Sequence, residues 1–186
     1  MGNFPKLINS STTKIPTMTH SRFVKSLLLT SAMAFNGLLV SSALAATVGE
    51  KAPALDLPSA KGQIQLDAYK GKTVYLDFWA SWCGPCKQSF PWMNAMQKRY
   101  GAKGLQIVGI NLDQKQEDAT AFLAANPALF DIAFDPSGKT PKTFGIQGMP
   151  TSFLISPEGK VLMVHQGFNE EGQTELEKRI QQAIKQ

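Results

Sequence analysis

One stretch narrows the choice of fold more than any other: Val74 to Pro91, VYLDFWASWCGPCKQSFP. Val74 to Trp79 is of strand length and apolar at nearly every position, the mark of a central strand buried on both faces. It leads through a short aromatic turn into Cys83-Gly84-Pro85-Cys86, after which Phe90, Met93, Met96 and Tyr100 recur at helical spacing. The chain has no other cysteines. A Cys-x-x-Cys pair at the mouth of a helix that follows a buried strand is a redox site with a physical mechanism. The first sulfur lies at the helix N-terminus, where unpaired N–H groups and the helix dipole favour a thiolate. The second lies a turn further on, close enough to close a disulfide. Zinc sites use the same spacing, but two cysteines and His165 alone do not make a tetrahedral set, so neither metal nor cofactor is expected. His165 reads as structural, and no GxGxxG, P-loop or Ser-His-Asp spacing is present.

The rest of the chain fits one domain built around that strand. Val48 to Leu57 reads as an extended entry and Ile64 to Leu66 as a short strand after Gly62. Gly71-Lys72 turns into the central strand. Pro91 is expected to bend the helix that follows the cysteines. Gly101 and Gly104 end it before a second central strand, Leu105 to Leu112. Glu117 to Ala125 reads as a helix, Ile132 to Phe134 as a strand and Thr140 to Phe144 as a helical turn. Thr151 to Ile155 and Val161 to His165 flank a hairpin turn at Pro157-Glu158-Gly159-Lys160. Glu170 to Ile184 is an amphipathic helix with Leu176, Ile180 and Ile184 inward. Strands alternating with helices, then a hairpin and a helix, make an α/β fold, a central mixed sheet flanked by helices.

The charge is uneven. All acidic residues lie after residue 49, whereas Lys6, Lys14, Arg22 and Lys25 precede it, so beyond Ala45 fifteen basic residues face fourteen acidic ones. The basic pI is a leader effect and gives no reason to expect a nucleic-acid partner. Arg22 and Lys25 followed by an apolar stretch, Leu27 to Val40, and by Ala43-Leu44-Ala45 read as an export signal over residues 1–45, cleaved between Ala45 and Ala46. Met18 is an alternative start. The other reading is an uncleaved N-terminal anchor in the inner membrane; Asn36 and the serines and threonines of the stretch weigh against a permanent span.

The segment DFWASWCGPCK resembles the active site of thioredoxins, and the chain from about Gly49 onward resembles the exported TlpA-like thiol-disulfide oxidoreductases. Three marks outside the cysteines carry the likeness. Asp77 stands where thioredoxins have a buried acid, Pro91 where they kink the active-site helix, and Gly148-Met149-Pro150-Thr151 matches the loop whose cis-proline faces the disulfide. The resemblance implies a thioredoxin-like fold over residues 46–186, with Lys115 to Phe134 as the TlpA-type insertion that enlarges the sheet. It implies that Cys83 attacks a substrate disulfide and that Cys86 resolves the mixed disulfide. Asp77 is the candidate proton acceptor for Cys86; the alternative is a buried carboxyl held by backbone hydrogen bonds. Where thioredoxins place a lysine near this acid, the present chain has Gly109, which leaves the partner of Asp77 open. Trp82, Gly84, Pro85, Met149, Pro150 and Thr151 are the expected substrate-contact residues, and Trp79 is expected to pack under the loop.

The leading reading is a periplasmic reductant of disulfides in exported proteins. Gly-Pro between the cysteines belongs to reductants by family resemblance, and an oxidising compartment requires an electron supply, for which a membrane thiol transporter is the expected donor. Apocytochrome c is a substrate by family precedent, and a monomer is the expected state. The same sulfurs would also serve a net oxidant or isomerase, or a non-catalytic module with a permanent disulfide and a peptide-binding face. A copper-handling role is weaker, because the added histidine of copper-delivering relatives is missing.

Overall fold

The computed structural model describes residues 45–185; the leader expected over residues 1–45 lies, but for Ala45, outside the described residues. In chain order the elements are β1 (Asp56–Ser59), β2 (Gly62–Gln65), β3 (Thr73–Trp79), α1 (Gly84–Tyr100), β4 (Leu105–Asn111), α2 (Gln116–Ala125), β5 (Asp131–Phe134), α3 (Lys139–Phe144), β6 (Thr151–Ile155), β7 (Val161–Gln166) and α4 (Gln173–Ala183). The strands form one mixed sheet in the order β2-β1-β5-β4-β3-β6-β7. β3, β4 and β5 run parallel, as βαβ crossovers require, and β6, β7, β1 and β2 pair antiparallel to their neighbours. This is the thioredoxin-like α/β architecture expected from the sequence. The segment carrying α2 and β5 enlarges the sheet, since β5 lies between β4 and β1 and so joins the N-terminal hairpin to the central strands.

Every residue of β3 is buried, so its alternation sends two different sets of side chains into two cores. Tyr75 and Trp79 face the core shared with Phe90, Met93 and Met96 of α1, Phe122 of α2, and Leu176 and Ile180 of α4. Val74, Leu76 and Phe78 face the other core, with Val108, Ile110, Phe153 and Ile155, closed by Phe144 of α3. Each large apolar side chain so buried contributes about 1.5–3 kcal/mol relative to an exposed one.

Some boundaries differ from the sequence expectation. Gly62 lies within β2 and not ahead of it, and Leu66, whose N–H bonds Leu55 O in register with the hairpin ladder, opens a short 3₁₀ turn. α1 is one continuous helix through Pro91. In α4 the buried set is Leu176, Ile180 and Ala183, and Ile184 lies half-buried just past the helix end. β7 runs one residue past His165, to Gln166. Ahead of β1, the chain runs beside the start of β7: Gly49 N–H donates to Val161 O, Val161 N–H to Glu50 O, and Ala52 N–H to Gly159 O.

Candidate active site

β3 delivers the chain to the site and α1 receives it. Cys83 is the N-cap residue of α1, in extended backbone conformation, and its sulfur accepts the Cys86 N–H at 3.3 Å. Pro85 occupies the first turn, where its missing N–H costs nothing. The helix end thus directs an unpaired donor at Cys83 Sγ, the arrangement that lowers a thiol's pKa. Cys83 and Cys86 are joined as a disulfide, with Cα atoms 5.2 Å apart. Cys86 is wholly buried and Cys83 is 6 % exposed, flanked in the chain by the exposed Trp82 and the exposed Gly84 and Pro85. Trp82 is 71 % exposed, too open to be a core residue. Trp79 packs beneath the loop, its ring centroid 4.9 Å from those of Phe90 and Phe122.

The second loop arrives from β6. Phe78 pairs with Thr151, so the residues just before β6 lie level with the end of β3, from which the cysteine loop departs. The Met149–Pro150 peptide bond is cis. Pro150 O accepts Gly167 N–H at 2.8 Å, Pro150 itself is buried, and Met149 is half-buried. Thr151, expected among the substrate-contact residues, is 1 % exposed on the Phe78 side of the sheet, and its hydroxyl donates to Gly148 O at 2.6 Å. Its side chain closes the turn from within.

Asp77 lies on the α1 side of β3, with Gly109 of β4 and Ser152 of β6 as its register partners. It is 2 % exposed, and Oδ2 has no hydrogen-bond partner among the described residues. Burial alone raises its pKa well above the usual carboxylate value, and no cation offsets it. The alternative of a carboxylate held by backbone donors therefore has no support at Oδ2. Gly109 does not merely lack a side chain. A Cβ there would lie 3.0 Å from Trp79 Nε1 and from Ile132 Cδ1, so the Trp79 indole occupies the space a lysine would use.

One group of site residues escaped sequence reasoning. Asp113 accepts Ser81 N–H at 3.0 Å, Ser81 Oγ–H at 3.0 Å and Asn111 Nδ2 at 2.7 Å, and Asn111 Oδ1 accepts Asp113 N–H at 3.1 Å. With Leu112 N–H on Trp79 O, this ties the loop after β4 to the loop that carries Cys83. The available signal was Asn111-Leu112-Asp113 just past a strand, an i, i+2 pattern typical of side chains that bond their own backbone. Among the described residues no group of His, Cys, Asp and Glu is placed to hold a metal ion.

A dithiol-disulfide pair on a helix N-terminus, over a buried acid and beside a cis-proline loop, defines a thiol-disulfide exchange site, and the comparisons with known proteins agree. Residues 47–181 match the Redoxin family model, and the chain belongs to that family. It is 35% identical over 129 residues to the thiol-disulfide oxidoreductase ResA of Bacillus thuringiensis, covering 69% of this chain and 75% of that one. ResA of Bacillus subtilis is 35% identical over 120 residues, covering 64% and 67% of the two chains. A crystal structure from Chlorobium tepidum, described as a thiol:disulfide interchange protein DsbE, superposes with a TM-score of 0.73 at 55% identity, covering 74% of this chain and 98% of that one. The protein is a thiol-disulfide oxidoreductase that acts through the Cys83–Cys86 pair.

Proposed function

We propose that this chain reduces disulfides in exported proteins within the cell envelope, and that apocytochrome c before haem attachment is the type of substrate. The observation that carries the reading is the Cys86 N–H aimed at Cys83 Sγ from the end of α1. In the dithiol form that donor favours the Cys83 thiolate, which attacks a substrate sulfur and forms a mixed disulfide. Cys86, wholly buried, ionises only if a base takes its proton, and Asp77 is the buried carboxyl that β3 carries on the α1 side of the sheet. Burial raises the Asp77 pKa and so brings its basicity nearer that of a thiolate, which favours it as the acceptor of that proton. The Cys86 thiolate then displaces the substrate from Cys83 and leaves the disulfide. Trp82, Gly84, Pro85 and the backbone around Met149 and Pro150 form the surface on which the substrate lies.

The direction of exchange follows from Gly84-Pro85 between the cysteines, which marks reductants by family resemblance. A membrane thiol transporter supplies the electrons, the leader over residues 1–45 is removed near Ala45 and Ala46, and the domain of residues 46–186 acts as a monomer. Among the described residues no helix is long and apolar enough to cross a membrane. Trapping tests the whole reading. Cys86→Ser is expected to accumulate mixed disulfides through Cys83 with envelope proteins, which mass spectrometry identifies, while Cys83→Ser traps none. A reduction potential near about −270 mV supports the reductant, and one near about −120 mV would replace it with an oxidant.

A further inference from the structure

His165, assigned only a structural role from sequence, lies in line with the buried acid. Asp77 pairs in register with Ser152, and Ser152 pairs with His165. Residues directly opposite on neighbouring strands point to the same face, so these three side chains form one row on the α1 side, from the middle of the sheet to its β7 edge. The adjacent row on that face, Ile107, Tyr75, Leu154 and Met163, contains no other titratable group than Tyr75. Tyr75 turns its hydroxyl towards the polar row and donates to Ser152 Oγ at 2.8 Å. Exposure rises along the row, from Asp77 and Ser152 at 2 % each to a half-buried His165.

We propose that Ser152 and His165 form a proton relay that connects Asp77 with solvent at the sheet edge. The proposal rests on Asp77 being the base for Cys86. No direct hydrogen bond joins Asp77 to Ser152 or Ser152 to His165 among the described residues; opposed side chains have Cβ atoms about 4.5–5.5 Å apart, so each gap is one that a single bridging water spans. A serine hydroxyl has two acceptor positions and one hydrogen. With Tyr75 on one acceptor position, Ser152 keeps a second for a protonated Asp77 and its own hydrogen for the imidazole. During resolution the Cys86 proton passes to Asp77 Oδ2. The Cys86 thiolate bonds Cys83 Sγ as the bond from Cys83 to the substrate breaks, and the electron pair leaves on the substrate sulfur, which takes a proton from water. Asp77 then passes its proton through the bridging water to Ser152 Oγ as the serine hydrogen moves, across the second bridge, to one nitrogen of His165, and the other nitrogen releases a proton to solvent. Burial lowers the His165 pKa, which keeps the ring neutral and able to accept. The charged side chains of α1, α2 and α4, the helices over this face, are all exposed except Glu177, which Arg99 and Tyr100 hold, so none intrudes on the row.

Single-turnover reduction of a disulfide peptide by the full-length dithiol protein tests this, because the slope at low peptide reports attack by Cys83 and the plateau reports resolution. His165→Gly is expected to lower the plateau about five- to tenfold, a small part of the ~10²–10⁴ a positioned proton carrier contributes, and to leave the slope unchanged. Added imidazole should restore the plateau. His165→Gln, which keeps the bulk, should show the same loss, and Ser152→Ala a loss that imidazole does not repair. A His165→Gly plateau equal to wild type, or a loss indifferent to imidazole, overturns the relay. If Asp77→Asn remains slow in that case, the base assignment stands without it; if Asp77→Asn also keeps the wild-type plateau, the base assignment falls as well.

Discussion

The two sides of β3 are both fully buried yet built for different purposes. On one side Val74, Leu76 and Phe78 meet Val108, Ile110, Phe153 and Ile155, all of them hydrocarbon. On the other, Tyr75, Asp77 and Trp79 bring a phenol, a carboxyl and an indole N–H into an equally closed core, where Asp77 Oδ2 and Trp79 Nε1 go without partners. Close packing on the first side makes the strand a fixed platform. On the second, the unpaired groups are costly to bury, as expected where a polar atom is kept for chemistry, the role proposed above for Asp77.

Three substitutions sharpen that contrast. Phe78→Ala removes a ring packed 5.4 Å from Phe144 and 6.0 Å from Phe153, and is expected to lower unfolding free energy in urea by about 3–5 kcal/mol. The reduction potential of the folded variant should remain that of wild type; a large change in potential would mean the two sides are not separable.

Asp77→Asn has the opposite sign and a smaller size. Because the folded chain holds the Asp77 proton to higher pH than the unfolded chain, it binds more protons above the ordinary carboxylate value. Stability of the disulfide form therefore falls as pH rises from about 4 towards the raised value, by up to about 1.4 kcal/mol per pH unit for one group. The asparagine variant lacks this loss. Its urea midpoint should exceed that of wild type at neutral pH and converge with it near pH ~3.5. Parallel pH profiles in the two proteins would show that Asp77 is not the group concerned.

Trp82→Ala should change stability least, within about 0.5 kcal/mol, because its ring is exposed. Its effect should appear instead as a several-fold higher KM for a protein disulfide, with turnover of a small disulfide retained. Loss of stability comparable to Phe78→Ala would place the ring in the core.

The sequence revealed the strand, the helix and the cysteines because each has a local cause: a continuous apolar run, helical spacing, and a two-residue gap at a helix mouth. It could not reveal which way β6 faces. All of Thr151-Ser152-Phe153-Leu154-Ile155 is buried, so no polar alternation tells Thr151 from Ser152, and pairing with β3 alone turns Ser152 towards Asp77 and Thr151 away. The alignment of Asp77, Ser152 and His165 was hidden for the same reason, being a property of strand register between distant segments. The Asp113 anchor on Ser81 likewise joins two loops that only the parallel pairing of β3 and β4 brings together.

The run of backbone bonds from Gly49 to Ala52 along the start of β7 has a practical consequence. Those few residues shield part of an outer strand whose amides would otherwise be free to recruit a neighbouring chain. A shortened version that begins at Pro53 would keep every catalytic group yet leave that margin open, and its expected failing is self-association, not lost chemistry.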